Sequence, residues 1–300
     1  MPWGLEIGPE TLRLCRAARR GGRLQVQQRV ELPVPPDLIQ PSLKETNLRE
    51  APRLAALLGE ARRKARVGGW LRVVLPDAVF TMRSVATDQL PERREDARRL
   101  LRWQTRDLLP FPADEARLDY LRLAPGADGR QRAVCLVARE RVLVEYEAAL
   151  AQAGFQVALL DAQTIALAQA AAPALRDGPA ALLAVSGTRT TLLVVSEGLP
   201  RFWRQLPGGA DSWADGGEGS LLREVADSLT FCQESERTGP VKHLVVCGLG
   251  PHGRRASASL TDWLGIPAAS LDLVTTLRTG GDPDDLAAWG AALGAAIRPW

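Results

Sequence analysis

The sequence predicts an α/β fold made of two related halves. Three observations carry that expectation. A strand, glycine turn, strand, turn, strand pattern opens the chain, where Trp3, Leu5 and Ile7 alternate with Gly4, Glu6 and Gly8. The same pattern returns at 181–206, with its first turn at Gly187. Each is followed by segments of helical apolar spacing, and a repeat this far apart marks a duplicated domain, not a solenoid.

The first meander continues through Leu12, Leu14, Leu24, Val26 and Val30, broken at Gly8-Pro9-Glu10 and Gly21-Gly22. A proline-rich connection at 33–41 leads to a helix starting near Pro52, with Leu54, Leu57, Leu58, Ala61 and Ala65 on one face. Basic residues and Gly68-Gly69 end it, and a buried strand follows at 71–75. Residues 81–153 read as an α+β insertion. It comprises a helix over 91–109 stopped by Leu109-Pro110, strands at 116–123 and 132–138, and a helix ending at Gly154. A strand at 155–160 and a helix at 163–172 come next. The second meander gives way to a glycine-rich stretch at 208–219 and a helix over 221–236 with Ser220 as its N-cap. A strand at 243–247 runs into Gly248-Leu249-Gly250, then a helix to Leu264, then a final Ala/Gly helix over 284–298.

Composition excludes several function classes. The 300 residues are 46% hydrophobic and 24% charged, and 38 Lys plus Arg against 35 Asp plus Glu leave +3. That charge offers no field to hold nucleic acid without specific contacts, so no nucleic-acid partner is expected. Four separated cysteines, with no CxxC and no histidine pair, predict buried thiols and no metal site. No signal peptide or membrane span is readable, which predicts a cytoplasmic chain. His243 and His252 lack companions at ligand or triad spacing, so no catalytic residue is assigned. The basic run Arg62-Arg63-Lys64-Ala65-Arg66 suits anionic lipid headgroups, and equally a solvated helix C-terminus.

Glycine turns between strands can aim backbone N–H groups at an anion, because no Cβ blocks the approach. The candidates are Glu6-Ile7-Gly8, Val185-Ser186-Gly187-Thr188 and Gly248-Leu249-Gly250. Singly, each is more often just a turn.

Their order resembles the actin-like ATPase superfamily, and within it the PilM family of type IV pilus assembly proteins and their type II secretion relatives. The resemblance rests on Gly4-Leu5-Glu6-Ile7-Gly8, the segment 103–112 with Leu118-Asp119-Tyr120, Ala153-Gly154-Phe155 and Leu160-Asp161. It continues in Ala166-Leu167-Ala168, Phe202-Trp203-Arg204, the helix 221–231, Val245-Val246-Cys247-Gly248 and the segment 289–295. It implies an actin-like ATPase fold, α/β, of two ribonuclease-H-like halves with an inserted α+β subdomain. Residues 1–176 would be the first half, including the insertion at about 81–153. Residues 177–300 would be the second, with the last helix, 284–298, packing back on the first.

The same resemblance places a nucleotide near Glu6, Gly8, Gly187, Thr188, Gly248 and Gly250. Here Glu6 stands for the family's first-hairpin Asp, Val185 for its second, and Leu249 for a glycine. Val185 has no oxygen for a hard cation or for water. The expectation is therefore a pseudo-ATPase without a cofactor, its hold on ATP and magnesium weakened; the alternative is a nucleotide-binding ATPase of the same machinery. The resemblance further implies capture of the N-terminal peptide of a PilN-like bitopic inner-membrane protein, in a groove near Leu75, Phe80, Arg83, Leu109, Pro110 and Phe111. Other pilus inner-membrane and motor components are further expected partners, at the cytoplasmic face of the membrane.

Overall fold

The computed structural model describes residues 3–126, 128–214, 218–236 and 238–298. The first half starts with strands β1 (Trp3–Ile7), β2 (Thr11–Arg20) and β3 (Arg23–Pro33), then helix α1 (Ala51–Ala65) and strand β4 (Trp70–Leu75). The inserted part contributes β5 (Phe80–Thr87), α2 (Arg94–Thr105), β6 (Ala116–Leu123) and β7 (Gln131–Arg139). The chain then returns through α3 (Glu140–Gln152), β8 (Gln156–Ala162) and α4 (Gln163–Ala171). The second half holds β9 (Ala180–Val185), β10 (Arg189–Ser196), β11 (Leu199–Pro207), α5 (Ala210–Ala214), α6 (Glu218–Glu236) and β12 (His243–Cys247). It closes with α7 (Gly253–Leu264), β13 (Ala268–Ser270), α8 (Leu273–Leu277), α9 (Pro283–Ala287) and α10 (Gly290–Ile297).

Two five-stranded sheets repeat one topology. Their orders are β3-β2-β1-β4-β8 and β11-β10-β9-β12-β13, each an antiparallel meander joined to two parallel strands. The inner strand β1 is buried on both faces, as a strand with neighbours on each side and helices above it must be. At the sheet's edge, β3 alternates buried and exposed residues. Gly21 and Gly22 turn the β2–β3 hairpin with φ of 57° and 77°, the geometry such a two-residue turn requires.

The insertion is shorter than expected. Its sheet, β5-β7-β6, ends at Arg139. Helix α3, expected inside it, instead packs on α1 and places Val142, Tyr146 and Leu150 in the main core. The apolar spacing of α3 was visible in sequence, but which core it served was not. Helix α2 runs from Arg94 to Thr105 and tightens to a 3₁₀ turn over Arg106–Leu108, where Thr105 Oγ1 bonds the Leu101 carbonyl at 2.9 Å. Ser220 is no cap: α6 begins at Glu218, and residues 215–217 of the glycine-rich stretch lie outside the described residues.

The expected final helix is two helices separated at Trp289, whose indole is buried and lies 5.2 Å from the Arg29 guanidinium. The break lets α10 lie flat on the first half, against α4, β1 and β2. A Cβ on Gly4 would meet the Ala292 carbonyl oxygen at 2.0 Å, and one on Gly294 the Ala166 oxygen at 1.8 Å. Buried Arg72, on β4, donates to the Ala296 carbonyl at 3.2 Å, placing a cation at the negative end of α10. Among the described residues no helix is long and apolar enough to cross a membrane.

Candidate functional site

The sequence-predicted nucleotide residues fall on the strand ends where the halves meet. Glu6 is almost wholly buried, not a solvent-facing strand residue. Its Oε1 accepts from Gln163 Nε2 at 2.8 Å, and its Oε2 lies 3.8 Å from Arg13 Nη1. Register explains the arrangement: Glu6 pairs across to Arg13, and Arg13 to Glu31, on one sheet face. Burial pushes the Glu6 carboxyl up to about 7, against the opposing pull of Arg13. Asp77, just beyond β4, is likewise raised by burial, although it accepts from Thr164 N at 2.9 Å and from Thr164 Oγ1.

Gly8 spends its N–H on the Thr11 carbonyl at 2.9 Å, so it serves the hairpin. In the second half, Ser186, Gly187 and Thr188 are exposed at the β9–β10 turn. The carbonyls of Ser186 and Gly187 accept from Ala210 N and Asp211 N at 2.8 and 3.1 Å. Gly209 fits so closely beneath that a Cβ would sit 2.2 Å from the Ser186 oxygen. Gly248, at φ 96°, abuts Val185, where a Cβ would lie 1.8 Å from the carbonyl oxygen. Leu249, which stands where the resemblance has a glycine, is buried in the second half's own core. Gly250, at φ 47°, borders open space.

No hydrogen bond or ion pair among the described residues joins Glu6 or Gly8 to Gly187, Thr188 or Gly250. The two aligned acid positions offer no free carboxylate to a magnesium ion: Glu6 is bonded and buried, and the second position is Val185. Among the described residues no group of three His, Cys, Asp or Glu is placed to hold a metal.

The expected peptide groove is partly core. Leu75 is fully buried in the main cluster, and Phe111 is buried in the insertion's core with Arg139 5.6 Å from its ring. Neither is among the residues that line the open cleft beside them. Leu109 packs half-buried on the same small core, and Pro110 is exposed. Phe80 and Arg83 do line an open cleft of about 400 Å³, together with Lys44, Arg189, Trp203 and Arg204. Arg83 donates to the Met82 and Leu108 carbonyls at 2.9 and 3.2 Å, and no carboxylate pairs with it among the described residues. Burial lowers its pKa. Arg204 is held by Ser228 Oγ at 3.1 Å and Glu224 at 3.4 Å.

Sequence reasoning missed the second-half side of this cleft. Strands β5 and β11 are each an edge of their sheet. Gln205 of β11 joins the two halves by donating to the Asp77 carbonyl at 2.8 Å. The opposite wall is shaped by fully buried Asn47, which donates to the Ser42 and Glu45 carbonyls at 2.8 and 2.7 Å and accepts from Tyr146 at 3.2 Å. The sequence shows an Asn between a proline-rich connection and a helix, but nothing local marks it as buried.

Two halves of matching topology, an insertion in the first and a cleft where they meet define an actin-like ATPase fold. The profile of the type IV pilus assembly protein PilM matches residues 4–213, and the chain belongs to that family. The structure is similar to a PilM–PilN type IV pilus biogenesis complex, at TM-score 0.82 and 20% identity over 99% of this chain and 97% of that one. It is also similar to the cytoplasmic domain of EpsL, an inner membrane component of the Vibrio cholerae type II secretion system. That match has TM-score 0.51 and 14% identity over 82% of each chain. A Bacteroides thetaiotaomicron protein with an actin-like ATPase fold matches at TM-score 0.53 and 10% identity over 93% and 96% of the two chains. Comparison with curated proteins finds no match.

Proposed function

We propose that this chain is a scaffold, not an enzyme, of the inner-membrane assembly of a type IV pilus or a related type II secretion system. It works at the cytoplasmic face of the membrane. It captures the cytoplasmic N-terminal tail of a PilN-like bitopic membrane protein and presents other pilus inner-membrane and motor components to it. The observation that carries this reading is the cleft between β5 and β11, where two sheet edges flank an apolar floor and uncompensated cations. An extended segment there gains main-chain hydrogen bonds, seats apolar side chains on Phe80 and Trp203, and meets Arg83 and Arg189 with carbonyl or carboxylate oxygens. The replacement of the second acid by Val185 and the bracing of its turn support a pseudo-ATPase with no cofactor.

The test is calorimetric titration of the full chain with the N-terminal peptide of the bitopic membrane protein encoded beside it. Binding lost on Arg83→Glu supports the scaffold. Micromolar Mg-ATP binding with turnover abolished by Gly187→Glu would return the chain to the nucleotide-binding ATPases.

A further inference from the structure

Beyond the cleft, the opposite end of the first half carries a basic surface around an exposed tryptophan. Helix α1 ends in Arg62, Arg63, Lys64 and Arg66, all exposed, and the next strand opens with Trp70 at 56% exposure. Glu60 is the carboxylate within this group, and Lys64 Nζ holds it at 2.8 Å. Arg62 and Arg66 have no carboxylate partner among the described residues. Register brings a second basic element to the same end. Trp3 pairs with both Arg16 and Leu71, so the hairpin tip with exposed Arg20 and Arg23 projects alongside Trp70.

We propose that this end lies directly on an anionic lipid surface, with the guanidinium and ammonium groups among headgroup phosphates and the Trp70 indole at the interface. Clustered cations give attraction that falls off within a Debye length, and tryptophan prefers the headgroup level. A general polyanion site is disfavoured, because the whole chain carries only +3 and an exposed apolar ring opens the strand that follows the basic helix end. Strand β4 sets the separation from the cleft. Its six residues place the lipid-facing end roughly 20 Å from the Phe80 side, a span that an extended tail of a membrane protein covers with about six residues. The two attachments can therefore operate together.

Flotation of the full chain with vesicles tests this. Binding is expected to phosphatidylglycerol–phosphatidylcholine vesicles, not to phosphatidylcholine alone, and to be released by salt. Arg62→Glu with Arg63→Glu should lower partitioning by about tenfold or more, and Trp70→Ala should weaken what salt leaves behind. Arg223→Glu with Arg254→Glu, the same charge change on exposed second-half helices, should leave flotation unchanged. Equal loss in both pairs, absence of flotation, or DNA-oligonucleotide binding as tight and as sensitive to the first pair would overturn the proposal. Tail-peptide titration of the same variants keeps this outcome separate from that of the cleft.

Discussion

Gln163 Nε2, at the start of α4, donates a 2.8 Å hydrogen bond to Oε1 of Glu6 in the middle of the first sheet. That bond occupies one oxygen of the carboxylate in the Glu6-Ile7-Gly8 turn. Among the described residues the other, Oε2, is buried without a hydrogen bond and lies 3.8 Å from Arg13 Nη1, an arrangement that tolerates a proton.

Stability should therefore depend on pH through Glu6. Its folded-state value, about 7, lies above its usual 4.5, so the folded chain keeps the proton longer than the unfolded one. The contribution is fully present below about 4.5 and is lost as pH rises through 7, amounting to about 3 kcal/mol. Asp77, also raised by burial, adds to the slope. Thermal melts from pH 4.5 to 8 should show a falling midpoint, much flattened in Glu6→Gln. A wild-type midpoint that climbs over this range would refute the assignment.

Restoring one acid should not restore turnover. Val185→Asp places a carboxylate at the strand end, yet the Ser186 and Gly187 carbonyls still accept from Ala210 and Asp211. Phosphate release from Mg-ATP should stay at background for wild type and variant alike. Measurable turnover in the variant would show that the missing acid was the sole defect.

In the cleft, position decides effect. Arg83→Ala should weaken tail-peptide affinity about tenfold, with little change in melting temperature. Leu75→Ala should cost about 2–5 kcal/mol of stability and leave affinity unchanged while the chain is folded. Asn47→Ala should do some of both, because the residue holds the loop that carries Lys44. Calorimetry paired with thermal melts separates the three.

Close approach makes a further contrast between two glycines. Gly294→Ala would drive a methyl into the Ala166 carbonyl and should cost about 3 kcal/mol or more. Gly68→Ala meets nothing within 4 Å and should change stability by less than about 0.5 kcal/mol. Denaturant melts of the two variants compare them directly.

Periodicity was enough to find both meanders, because inner strands and turn glycines leave strong local patterns. It could not assign α3 to the main core, since an amphipathic helix records that it is buried and not against what. Leu75 and Phe111 are placed in the groove by the family resemblance, which gives a neighbourhood in the fold and not which side chains there are buried. The pseudo-ATPase expectation rests on one position, Val185, which the family resemblance aligns with an acid. The basic cleft was not readable, because Lys44, Arg83, Arg189 and Arg204 lie far apart in sequence and meet only where β5 of the small sheet packs against β11, the partner of β10.

The seat of α10 on Gly4 and Ala166 has a consequence for how the molecule is made. Strand β1 leaves the ribosome about 280 residues before the helix that covers it, because α10 starts at Gly290 and β1 ends at Ile7. Until α10 arrives, the first half carries an open apolar face where Ala292, Leu293 and Ala296 later seat. Synthesis thus has a vulnerable interval that lasts until α10 has emerged, and a truncation before residue 290 should strand the first half as an aggregation-prone intermediate.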